Sequence, residues 1–184
     1  MKQTSAKAAP AHKHWLRSNK VWTAFTIGLL ALGTIVTVGI YWYQSRVIID
    51  RLIVRDVTQL EAIFRRINDE CGVIGFEHER NYIDFLTVSA FVGSEIGAMN
   101  LKNPKNWHGP YVQDNPTIQQ KQYEIIHTNK GYFLIPGNGV QLANGQVIGK
   151  DIVLDETSDI ATLIKDGLLS YHEQPLAAAI PMLK

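Results

Sequence analysis

The stretch that decides the fold is VWTAFTIGLLALGTIVTVGIYWY, residues Val21 to Tyr43. No charged residue occurs between Lys20 and Arg46. At about 1.5 Å of rise per residue a helix of this length crosses a hydrocarbon core of about 30 Å. Lipid offers no partners to backbone N–H and C=O groups, so a crossing segment must satisfy them internally as a helix. Trp22 stands at one end, and Tyr41, Trp42 and Tyr43 stand at the other, where aromatic rings favour the membrane–water boundary. A core helix of a soluble protein rarely stays apolar on every side for so long. The run also exceeds the apolar region of a cleaved signal peptide, and no small-x-small cleavage site follows it. The expectation is a single-pass signal anchor.

The flanks set its direction. Residues 1–20 carry Lys2, Lys7, Lys13, Arg17 and Lys20 without an acid, whereas Arg46, Arg51 and Arg55 on the other side are mixed with Asp50 and Asp56. The more cationic flank stays in the cytoplasm, so the C-terminal part is exported. The tail lacks apolar periodicity, is expected to be disordered and suits anionic lipid headgroups. The expected layout is a basic tail over 1–20, a transmembrane helix over 21–43, an amphipathic extension over 44–71 and an exported domain over 72–184. The chain has 184 residues and a net charge of +1, which gives no general case for nucleic acid as a partner. Its single cysteine, Cys71, cannot form an intrachain disulfide.

No proline or glycine interrupts the chain from Ile40 until Gly72. Ile53, Val57, Leu60, Phe64, Ile67 and Cys71 recur at alternating spacings of four and three, which places them on one helical face. The helix is therefore expected to run on to about Glu70. Its apolar stripe either covers the chain's own globular domain or zips to a neighbouring subunit, and both can hold at different heights. Cys71-Gly72-Val73-Ile74-Gly75 breaks it. A helical piece is expected over Tyr82–Met99, then a loop over Leu101–Pro116 pinned by Trp107 and Tyr111. From Gln122 the period falls to two. An antiparallel meander of three to five strands is expected at Tyr123–Thr128, Tyr132–Ile135, Val140–Leu142, Val147–Ile148 and Ile152–Leu154, with an Asn144-Gly145 hairpin turn. The fold class is α+β: one N-terminal transmembrane helix continuing into a long amphipathic helix that packs on a small antiparallel sheet. Ser158 or Asp159 is expected to cap a last helix. The apolar tail from Gln174 has no assignable place.

No constellation of catalytic residues stands out. Glu77-His78-Glu79 lacks the second histidine of a zinc-protease helix, because Tyr82 occupies that position. His108, His127 and His172 are scattered. There is no nucleophile elbow and no phosphate-cradling loop. The one group of ligand type is Asp151, Asp155, Glu156 and Asp159. Carboxylates spaced along a loop suit calcium, which takes six to eight oxygens. The spacing is not that of an EF-hand, and a solvated acidic loop carrying a helix cap is the favoured reading.

The segment Asn103-Pro-Lys-Asn-Trp-His-Gly-Pro-Tyr111 resembles the Trp-x-Gly-Pro-Tyr segment between helix and sheet in the pilin and pseudopilin superfamily. The resemblance is in particular to the major pseudopilin of type II secretion, over roughly residues 50–160. That resemblance implies a non-enzymatic structural subunit of a secretion or filament apparatus. It would sit in a bacterial inner membrane with the folded part in the periplasm, and its partners would be lipid and other subunits, alike or different. It also implies a calcium site in the C-terminal loop, which only the four carboxylates could supply; no other cofactor is expected. The chain departs from the family at Lys20-Val21-Trp22-Thr23-Ala24-Phe25: the processing glycine and the acid inside the apolar run are missing. The expected assembly face comprises Gly28 and Gly33 in the membrane, which allow close helix approach, with Ile53, Val57, Leu60, Phe64 and Ile67 beyond it. The competing expectation is a membrane-tethered module that binds a protein or ligand as a monomer.

Overall fold

The computed structural model describes the backbone of residues 12–183 and the side chains of 22–42 and 48–183. The charges expected to orient the chain from residues 1–20 lie outside the described side chains. The architecture is α+β: one long, apolar N-terminal helix and antiparallel sheets. Helix α1 spans His12–Cys71. The chain divides into two compact units between Gln44 and Ser45.

In the first unit, Trp22–Trp42 is long and apolar enough to cross a membrane, and each of its residues is exposed. The hydroxyls of Thr26, Thr34 and Thr37 donate to the carbonyls of Trp22, Leu30 and Gly33 at 2.8–2.9 Å. Their polar groups are thereby satisfied within the helix, as a lipid environment requires.

In the second unit, Ile53, Val57, Leu60, Phe64 and Ile67 are at most 2 % exposed. They share one buried cluster with Val73, Phe76, Phe85, Tyr123, Ile125 and Leu134. The Phe64 ring meets Phe76 and Phe85 edge-on at 6.4 and 6.2 Å between centroids, a favoured aromatic geometry. Helix α1 ends where Gly72 takes a φ of +68°, which costs glycine little and other residues more. Its last carbonyls find donors in the next loop. Asn106 Nδ2 donates to Glu70 O at 2.9 Å, and Asn103 N to Cys71 O at 2.8 Å.

A three-stranded antiparallel sheet follows, in the order β1 (Val73–Phe76), β4 (Met99–Leu101), β3 (Glu95–Ile96). Between β2 (Arg80–Tyr82) and β3 the chain makes only a short 3-10 turn over Asp84–Thr87. The helix expected over Tyr82–Met99 does not form. Gly93 and Gly97 adopt positive φ, and Val88, with its ψ near 127°, is extended. Phe85, Leu86, Ile96 and Met99 are buried from this irregular path, whereas Val92 is fully exposed. Their apolar character is used without helical periodicity.

The main sheet runs β10 (Ala178–Ala179), β7 (Gly131–Pro136), β6 (Lys121–Thr128), β2, with β5 (Thr117–Ile118) pairing on β6. The β6–β7 hairpin is in the expected place, with Ile125 opposite Leu134 and His127 opposite Tyr132. Strand β6 does not alternate between core and solvent: Tyr123, Glu124, Ile125 and Ile126 are all buried, so both of its faces are covered there.

The segment 137–159 joins the same buried cluster through Val140, Leu142, Ile148, Ile152 and Leu154. The strands expected at Val140–Leu142, Val147–Ile148 and Ile152–Leu154 reduce to isolated bridges, Gln141 with Val147 and Ile148 with Ile152. Gly139, Gly145 and Gly149 take φ values of 84–90° and turn the chain too often for a ladder. Side chains from elsewhere hold the segment instead. Asp50 accepts from Ala143 N at 3.0 Å, and Gln119 both donates to and accepts from the backbone of Gln141 at 2.8 and 2.9 Å. Arg80 Nη2 donates to Leu154 O, while its Nη1 reaches Glu124 Oε2 at 2.6 Å.

Glu124 is 9 % exposed, and that guanidinium is its ion-pair partner. Arg80→Ala is expected to cost about 3 kcal/mol by leaving a buried carboxylate without its cation; this is the low end for such pairs because Arg80 stays partly in water. The double variant Arg80→Ala/Glu124→Gln should recover a good part of the loss in urea melts. No recovery would mean that the Leu154 contact, not the charge pair, carries the effect.

The C-terminal segment is placed. It makes β8 (Ser170–Tyr171), β9 (Gln174–Pro175) and β10, and Leu183 N donates to Val73 O at 2.9 Å. The short helix α2 (Ile160–Lys165) precedes it, with Asp159 as N-cap.

Candidate functional site

Three of the four carboxylates of the acidic loop, Asp151, Asp155 and Asp159, have separate structural roles. Asp151 Oδ2 accepts from Val147 N at 2.9 Å. Asp155 Oδ1 accepts from Thr157 N, Thr157 Oγ1 and Ser158 Oγ at 2.7–3.0 Å, and these bonds, the Thr157 hydroxyl first, hold its carboxyl below the usual range. Asp159 pairs with Lys130 and accepts from Thr162 N and Thr162 Oγ1. The Lys130 hydrogen bond, then those from Thr162, bring its pKa down to about 2. Glu156 is exposed, and its carbonyl accepts from Asn129 N at 2.9 Å. Among the described residues no three His, Cys, Asp or Glu side chains form a group that could hold a metal. One carboxylate oxygen of Asp151, one of Asp155 and both of Asp159 accept from N–H and O–H donors of the fold. A melting scan with millimolar calcium tests the expected site: an unchanged melting temperature would remove calcium as a ligand of this loop.

Asp159 carries a pH dependence. Its folded pKa is depressed, so its contribution to stability is present above the unfolded carboxylate value near 4 and is lost as pH falls through about 2. Between those values the melting temperature should drop, and Lys130→Ala should shrink that drop. An identical drop in the variant would contradict the pairing. Asp50 works in the opposite direction. Burial raises its pKa, so its carboxyl favours the folded state more once protonated.

The loop around Trp107 is held by aromatic contacts. Trp107 Nε1 donates to Val88 O at 3.0 Å. Its ring meets Phe91 at 5.7 Å and Tyr111 at 4.7 Å, both edge-on. Arg66 of α1 lies 5.8 Å over the Tyr111 ring, within cation–π range. Gly109 has no room for a side chain: a Cβ there would stand 2.2 Å from Val88 O and 2.4 Å from Trp107 Nε1. The motif fixes the loop to helix and 3-10 turn. The Cys71 thiol is fully buried, and burial raises its pKa, the reverse of what a nucleophile needs.

The structure separates the expected assembly face into two parts. Ile53, Val57, Leu60, Phe64 and Ile67 lie within their own domain's core and have no surface left for a neighbour. Gly28 and Gly33 stay exposed, with nothing within 4 Å of a Cβ built on either. The signal for this division was the stripe itself, whose spacing fits a core and a coiled coil equally well. What sequence reasoning missed is the Arg80–Glu124 pair, 44 positions apart along the chain. No family model matches the chain, and no curated protein or solved structure matches it.

Proposed function

We propose that this chain is a non-enzymatic, single-pass membrane subunit of a pilin- or pseudopilin-like secretion or filament apparatus. Its basic tail lies in the cytoplasm of a bacterial cell, and its folded domain lies outside the inner membrane. The observation that carries the reading is the change in environment along α1. Over Trp22–Trp42 every side chain is exposed and apolar or uncharged, whereas over Ile53–Ile67 the stripe residues are at most 2 % exposed. The first stretch suits lipid. The second serves as an amphipathic spine against the domain's own sheet.

Lateral assembly then falls to the membrane helix. Gly28 and Gly33 let a second helix approach closely, and van der Waals packing drives association in lipid. In-cell crosslinking tests this reading. Cysteines placed one at a time over residues 24–40 should give disulfide-linked homodimers with helical periodicity that includes positions 28 and 33. Gly33→Leu should weaken the dimer formed from a neighbouring position. Absence of any dimer along the span would favour the tethered monomeric binding module.

A further inference from the structure

We draw no further inference here: the strongest candidate, the cavity of about 330 Å³ between α1 and the loop 111–116, lined by Asp56, Gln59, Tyr111, Gln113 and Asp114, carries nothing, because the Asp56 carboxylate is already engaged by Arg55 and Tyr123 and nothing in the structure shows what would fill it.

Discussion

Phe64→Ala is expected to destabilise the domain by about 3–5 kcal/mol, the range for deleting a buried aromatic ring. Against a typical total of about 5–15 kcal/mol, this is a large share. Phe64 has no exposed surface, and two rings, Phe76 and Phe85, stand edge-on to it. Removing it opens a cavity between α1, β1 and the 3-10 turn after β2, and none of these can close on it without leaving the others. Phe64→Leu, which keeps most of the volume, should cost under about 1.5 kcal/mol. Urea melts of the full chain in detergent micelles read both values. A loss below about 1 kcal/mol for alanine would mean that this stretch of α1 is not part of the core.

Leu32→Arg/Ile35→Arg is expected to release the protein from the membrane. Both positions are more than 60 % exposed in the middle of the apolar run, with no protein surface to shelter a charge. Each arginine costs about 2.5–3.5 kcal/mol at the centre of a membrane helix, so the pair removes about 5–7 kcal/mol of insertion free energy. Alkaline carbonate extraction should leave the parent chain in the pellet and move the variant to the supernatant. The urea midpoint of the domain should not change, because residues 32 and 35 belong to the other compact unit. Retention of the variant in the pellet would show that these residues do not sit in lipid.

The apolar run and the C-terminal stop of α1 were legible for simple reasons, whereas its start at His12, inside the tail expected to be disordered, was not. An uncharged run that includes Gly28, Gly33 and Gly39 makes sense in lipid and is costly elsewhere. The Gly72 stop follows from backbone sterics alone. The β6–β7 hairpin was legible because Asn129-Lys130-Gly131 separates two strand-like runs. The region 82–99 was misread because Phe85, Leu86, Val88, Phe91 and Ile96 approximate helical spacing. Gly93 and Gly97 outweigh that spacing locally, and burial of Phe85 and Met99 completes the effect. Segment 137–159 was misread in the other direction. Its apolar residues are as strand-like as those of β6, but its tethers are Asp50, Gln119, Arg80 and Glu124. Pairings that distant leave no trace in a local pattern. The Asp159 cap was readable from position, whereas its ion pair with Lys130 was not, since the hairpin had first to bring the two together. The apolar tail gained its place only through pairing with β7, which sequence periodicity over two residues cannot signal.

The most direct test of the central claim, one crossing with the domain outside, is thiol labelling of intact spheroplasts by a membrane-impermeant maleimide. Val92→Cys, fully exposed on the domain, and Ser5→Cys, in the basic tail, are each expressed in the full chain. The account predicts that position 92 labels before lysis and position 5 only after it. Labelling at position 5 before lysis, with position 92 protected, would contradict it.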